Sequence, residues 1–342
     1  MAKNWWKVLV ILVLTLGLLY LFFRSVEWDK VWESLTNVSV PFLILTVLLM
    51  PSHFITRAIR WKFLLRHEKE NISFYNRFAA TTVGFAVTLT FPGRIGELVR
   101  PLLLAQKEKI SKAFTIGTVL VERIFDVLTM CLLLGAFMLA SPLYASIFPI
   151  DEKMNAQLTL WGIIGVSVAS GLLLVTLALY FFETQTLRIL SFFLRPLPQR
   201  VSEKIISLVQ EFIQGMSFFR STRTLLAYFL WSLVVWLGII FFYWVFFMAY
   251  DVHVPFIFML PFTFLVGVGA SIPTPGMVGG FHSFSKLGMT SFFNIEANLA
   301  VAMTIVVHAI TVVVTCLIGY AILWKEGISL FQIKKIGEES DP

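Results

Sequence analysis

The stretch FPGRIGELVRPLLLAQKEKISKAFTIGTVLVERIFDVL, residues 91–128, decides how the chain is read. It holds a proline-glycine break, then Arg94, Glu97 and Arg100 at three-residue spacing, then Glu122, Arg123 and Asp126 inside an apolar run. The three-residue spacing places Arg94, Glu97 and Arg100 along one helix face, and Glu122 and Asp126 one turn apart on another. Hydropathy places both groups in the membrane. An ionised side chain at the centre of a spanning helix costs about 2.5–3.5 kcal/mol on insertion scales, so such groups face the bundle interior and have partners.

Working outward, 58% of the 342 residues are hydrophobic, 15% aromatic and only 14% charged, with a mean hydropathy of +0.84. An ordinary soluble domain carries about 25% charged residues. A soluble core of this length cannot hide so much apolar surface, so lipid is the expected solvent. Secreted disulfide scaffolds, soluble nucleic-acid binders and disordered regulators are excluded. Cys131 and Cys316 lie far apart, each in an apolar run, and read as small core residues rather than a redox pair or a metal site.

The composition and the runs predict an all-α polytopic membrane protein, a single integral domain over residues 1–342. Runs at 5–23, 40–59, 114–140, 158–182, 225–249 and 298–324 are each long enough for a hydrocarbon core of about 30 Å, which makes about six full crossings. The first has no small-x-small cleavage site and reads as a retained helix with its N-terminus inside. Two further apolar stretches, 78–105 and 255–293, are interrupted by FPGRIGE and PTPGMVGG. Proline removes a backbone donor and glycine weakens a helix, so each reads as a re-entrant pair of half-helices around a turn. Such irregular backbone is tolerated at membrane depth only where protein or a water-filled cavity satisfies it.

Of the 27 Lys and Arg residues, 20 fall in segments this topology places in the cytoplasm and three (Arg24, Lys30, Lys153) outside. The bias puts both termini in the cytoplasm. Residues 198–220 carry Val201, Ile205, Val209, Phe212, Met216 and Phe219 on a helical period, with polar residues between, which fits a cytoplasmic helix lying in the interface or packed on the bundle. Residues 338–342 read as a short frayed tail.

An internal repeat relates the two broken segments. GFAVTLTFPGRIGE from Gly84 over GVGASIPTPGMVGG from Gly267 matches Gly84 to Gly267, Pro92 to Pro275, Gly93 to Gly276 and Gly96 to Gly279, at an offset of 183. TVLVERIFDVLT from Thr118 then falls over TIVVHAITVVVT from Thr304, at an offset of 186. The first repeat covers 40–140 and the second 225–324. By the charge rule the first hairpin enters from the cytoplasm and the second from outside, so the repeats are inverted. Inverted repeats with broken helices meeting near the midplane are an architecture of secondary transporters, whose half-helix ends present backbone groups to a substrate.

The candidate substrate-binding residues are Arg94, Glu97, Arg100, Glu122, Arg123, Asp126, His282 and His308. In one reading the arginines bind an anionic headgroup, while Glu97 pairs with them or carries a proton; in the other the charges form a structural network. A desolvated carboxylate in the second cluster would suit proton-coupled transport. His282 follows the second break and His308 aligns with Glu122, so both are either functional or satisfied core residues. Lys286 is one turn beyond His282 and is placed to snorkel outward. Arg57 and Arg60, in TRAIRWKFLLR, are expected at the cytoplasmic end of a span, on lipid phosphates or lining a path by which a headgroup comes in. There is no HExxH helix, phosphate-binding GxxxxGK[ST] loop, GxSxG elbow or paired CxxC site, and no metal or cofactor is implied.

RAIRWKFLL, the 91–128 stretch, PTPGMVGGFHSFSKLG and the His-containing last span together resemble the flippase-like, lysylphosphatidylglycerol synthase transmembrane family. That family includes the membrane half of the bacterial multiple peptide resistance factor, which moves aminoacylated phosphatidylglycerol between leaflets. The resemblance covers nearly the whole chain, and Arg94, Glu97, Arg100, Glu122, Arg123 and Asp126 match the family's polar signature. Two departures stand out: His282 where the family often carries a glutamate, and His308 with Ala309 near a common arginine. No soluble aminoacyl-transferring domain is expected, so lysyl-lipid synthesis is not implied.

The resulting expectation is a bacterial inner-membrane protein that moves an anionic phospholipid or lipid-linked headgroup between leaflets. Its partners would be membrane lipids and no nucleic acid, with a homo-oligomer or an envelope enzyme as further partners. Two alternatives stand beside it. One is an intramembrane lipid-modifying enzyme using Glu122, Asp126 and His308 as acid and base; the other is a noncatalytic envelope scaffold.

Overall fold

A computed structural model describes residues 5–24, 26–66, 68–140, 152–215 and 221–328. The tail at 338–342, Lys3, the 141–151 segment, and the last part of the 198–220 helix with Met216 and Phe219 lie outside them. Every regular element among the described residues is helical. In order these are α1 (Trp5–Phe23), α2 (Trp28–Thr36), α3 (Val40–Leu65), α4 (Phe74–Thr90), α5 (Gly96–Glu108), α6 (Lys112–Leu139) and α7 (Glu152–Phe181). There follow α8 (Glu183–Leu194), α9 (Gln199–Gly215), α10 (Thr222–Met248), α11 (Met259–Ser271), α12 (Gly280–Phe292) and α13 (Ala297–Lys325).

Among the described residues three helices, α3, α10 and α13, are long and apolar enough to cross a membrane by length and composition alone. The expected crossing at 40–59 continues helically to Leu65, because Arg57 and Arg60 are buried in the bundle rather than spread over a loop. α2 was not expected: the chain bends by 80° after α1, and this short helix lies across the start of α13. Its Val31 is buried, while Trp28 and Trp32 are exposed, the placing of aromatic side chains at a membrane boundary.

At three helix starts a side chain accepts from otherwise unpaired N–H groups. The Ser111 hydroxyl accepts from Phe114 N at 3.3 Å and opens α6; Ser221 does the same for α10. The Glu296 carboxylate accepts from Asn298 N at 2.7 Å and Leu299 N at 3.0 Å and opens α13. α9 packs along α6 with Val209 and Ile213 turned to the core, so the amphipathic helix is held by the bundle over its described part.

The loops sort to two ends. At one, Lys69 pairs with Glu108 at 2.7 Å, Ser111 N donates to Glu68, and Lys107 pairs with Glu326. At the other, Ser39 N donates to Ala249 O at 2.7 Å and Glu27 N donates to Asn298 Oδ1 at 2.9 Å. α4 leaves the first end and α5 returns to it; α11 leaves the second and α12 returns.

The tips of these two hairpins touch. Both turns use the same backbone: Gly93 and Arg94 have φ of 78° and 55°, Gly276 and Met277 both 60°. These are the residues the 183 offset matches. The tight helix crossings follow a slightly different register from the sequence alignment. Gly96 lies against Gly84 O in the first hairpin, as Gly280 lies against Gly269 O in the second, leaving no room for a Cβ. Gly269 and Gly280 thus take the places that the alignment gave to Gly267 and Gly279.

Candidate functional site

α6 carries Glu122 and Asp126 into the middle of the bundle, where their exposures are 0% and 5%. Four arginines from three elements surround them. Arg100 of α5 donates to both Glu122 oxygens, at 2.7 and 3.0 Å. Arg60 of α3 donates to Asp126 Oδ1 at 2.6 Å and stands 3.2 Å from Glu122. Arg57, one turn earlier, donates to Asp126 Oδ2 at 3.1 Å. Arg123 donates to Glu122 Oε1 at 3.0 Å and stands 3.4 Å from Asp126.

Around the ions lies a ring of aromatic and polar groups that the sequence reading missed. Trp236 Nε1 of α10 donates to Asp126 at 3.2 Å, and Ser232 accepts from Arg60. Arg100 stacks over Trp61, 4.2 Å from the ring centroid, and Arg60 over Tyr228. His53 Nε2 accepts from Arg57 Nε at 2.8 Å, so that nitrogen carries no proton. His53 sits one turn before Arg57 inside an apolar run, a signal that was readable; Trp236 is one of many aromatic residues in α10 and had none.

Arg57 and Arg60 require a correction. They are 4% and 0% exposed and are counter-ions of the α6 carboxylates, not anchors on lipid phosphates. Arg77, also counted among the cytoplasmic cations, is buried and donates to Ala58 O. The basic bias survives without these three. Arg94, Glu97 and Arg100 do not act as one stack either. Arg94 stands 3.4 Å from Glu97, but Arg100 turns into the bundle to Glu122. Arg94 also reaches across the hairpin junction, donating at 3.1 Å to Ala270 O and Ser271 O at the C-terminal end of α11. Those carbonyls have no helical partner and carry the negative end of the helix dipole.

His282 and His308 pair with each other, ring centroids 4.6 Å apart, beside Phe281 and Phe22. Their Nδ1 atoms have no hydrogen-bond partner among the described residues. No hydrogen bond or ion pair among those residues joins His308 to Glu122 or Asp126. Lys286 does not snorkel away: its ammonium donates to Phe22 O at 2.7 Å and, with Ser283 on Leu18 O, ties α12 to the end of α1.

A cavity of about 600 Å³ opens beside the ions, between the hairpin tips and α3, α6, α7 and α10. Arg57, Arg94, Arg123, Asp126 and His53 form its polar wall; the remaining wall is largely aliphatic and aromatic. Cys131 lines it as a small buried residue.

Buried ions and a largely apolar cavity at the meeting of two helical hairpins define an integral membrane protein built around a polar centre. The family model for the lysylphosphatidylglycerol synthase transmembrane region matches residues 4–319, and the chain belongs to that family. It is also similar to a UPF0104 membrane protein of Methanocaldococcus jannaschii, 24% identical over 329 residues, which cover 92% of this chain and 93% of the relative.

Proposed function

We propose that this chain moves an anionic lipid, or a lipid-linked anionic headgroup, between membrane leaflets. One observation carries the proposal: Arg57, Arg94 and Arg123 outnumber the single carboxylate, Asp126, on the polar wall of a largely apolar cavity, at the junction of two hairpins that start from opposite ends. The membership of a lipid-related membrane family supports it. In this reading the protein has six crossings, both termini in the cytoplasm, and re-entrant hairpins that form an inverted pair. The headgroup sits against Arg57, Arg94 and Arg123. Rocking of one hairpin unit against the other then opens the cavity to one leaflet or the other.

Arg94 has the place of a latch in this scheme, since it belongs to the first hairpin and holds the α11 end of the second. A headgroup phosphate competes with the Ala270 and Ser271 carbonyls for the same guanidinium. Binding would therefore loosen the contact that holds the tips together. Glu122 and Asp126 serve as fixed counter-ions, and any proton coupling falls to Glu97, His282 and His308.

The test is leaflet transfer of headgroup-labelled lipids in proteoliposomes, wild type beside Arg94→Gln and Arg123→Gln. Transfer above protein-free vesicles that falls at least about tenfold in both variants, the scale of one lost charge-assisted contact, is the expected result. Equal transfer in folded wild-type and variant protein removes the proposal.

A further inference from the structure

The charge balance of the centre narrows the lipid. Arg57, Arg60, Arg94, Arg100 and Arg123 face Glu97, Glu122 and Asp126 through direct ion pairs. Five guanidiniums against three carboxylates leave a surplus of two positive charges, and setting aside the Arg94–Glu97 pair leaves the same two. His53 does not add to it, because it accepts from Arg57. Arg123 lines the cavity and keeps its Nε without a hydrogen-bond partner among the described residues. A surplus beside an apolar space is costly unless an anion answers it.

Resting on the translocation reading, we infer that the ligand is a lipid phosphate monoester, a dianion, with its chain lying along the apolar wall. A phosphodiester lipid brings one negative charge and leaves one guanidinium unanswered. An aminoacylated phosphodiester adds an ammonium to a site already in cationic excess. A monoester brings two charges and three terminal oxygens, which suit guanidiniums arriving from α3, the first hairpin turn and α6. Met50, Met130, Trp161, Phe242 and Phe264 offer the adjoining apolar surface for the chain. Phosphatidic acid and polyprenyl phosphates share this chemistry.

The experiment is calorimetric titration of the detergent-solubilised full chain with decyl phosphate and with methyl decyl phosphate, which differ by one ionisation. The monoester is expected to bind at least about tenfold more tightly, the worth of one further charge-assisted contact. The second ionisation of a phosphate monoester lies at about pH 6, so its binding should weaken about tenfold from pH 8 to pH 5 while the diester's does not. Protonation of His53, beside Arg57, would strengthen anion binding on acidification and has the opposite sign. Glu122 and Asp126 of α6 face the same guanidiniums, and a proton taken up by a carboxylate at the site would likewise favour the anion.

Two variants keep the test independent of folding. Glu97→Gln, at a partly exposed position, raises the surplus and should tighten monoester binding; Arg123→Gln lowers it and should erase the preference. Equal affinity for the two esters, or a Glu97→Gln change in the wrong direction, overturns the inference. Leaflet transfer of phosphatidic acid, farnesyl phosphate, phosphatidylglycerol and lysyl-phosphatidylglycerol then separates the sources. Transfer of the diesters as fast as the monoesters would sink the dianion preference and spare translocation; monoester binding with no transfer of any lipid would do the reverse.

Discussion

Glu122 is the residue on which the centre turns, because it is fully buried and within ion-pair distance of Arg57, Arg60, Arg100 and Arg123. Removing one member of a buried ion set costs about 3–5 kcal/mol, since the partners stay buried with less to answer them. Glu122→Gln should therefore lower the thermal unfolding midpoint strongly, and Arg100→Gln/Glu122→Gln together should cost less than the sum of the singles. Additive losses would show that the two side chains do not act as a pair. At the cytoplasm-facing end of the proposed topology, Glu108 offers a pH test. Burial alone would push its carboxyl up, but hydrogen bonds from the Lys69 and Asn76 side chains and Ser73 N hold it below the usual range. Its stabilising contribution is thus complete above the unfolded carboxylate value of about 4.3 and is lost as pH falls through the lower folded value. The gap in melting temperature between wild type and Glu108→Gln should close on acidification below that range.

At the scale of elements, the hairpins separate two uses of glycine. Gly93 has φ of 78° and nothing within 4 Å of a Cβ, so its requirement is backbone conformation. Gly96 has ordinary helical backbone but no space, because Gly84 O and Thr88 press against it. Asn tolerates the left-handed region better than Ala, so Gly93→Asn should be milder than Gly93→Ala, which costs about 1–2 kcal/mol. At Gly96 the order reverses: Ala is the lesser overpacking, at about 1–3 kcal/mol, and Asn the greater. Unfolding of the four variants in detergent checks both orders. The Pro-Gly turns were legible because they break hydropathy with the residues that turns require. The crossing glycines were displaced by one or two positions in the second repeat, since close approach depends on how helices rotate against each other.

For the whole molecule, the sorting of loops to two ends and the basic bias of one of them make a labelling prediction. In a Cys131→Ser/Cys316→Ser background, Glu70→Cys should react with impermeant maleimide only from the cytoplasmic side and Asp251→Cys only from outside; both positions are exposed. Labelling of both from one side would rule out the proposed topology. The three clear apolar spans were readable from length and hydropathy. α2 was not, because a nine-residue helix with polar and apolar faces reads as a loop until α1 and α13 give its buried side something to cover.

Sequence alone determined that lipid is the solvent, that helices carry the chain, where two of them break, and which charges are out of place there. Those properties are local: they follow from apolar run length, Pro-Gly chemistry and the cost of an ion in hydrocarbon. Tertiary structure decided how the ions are shared. Arg57 and Arg60 read as cations at the end of a span until α3 is laid beside α6, and Arg100 parts from Arg94 because Arg94 lies in the left-handed turn before α5 while Arg100, on that helix, meets Glu122. The pairs that Arg57, Arg60 and Arg100 make join residues 22 to 69 positions apart along the chain, and no local pattern encodes which carboxylate each of them meets.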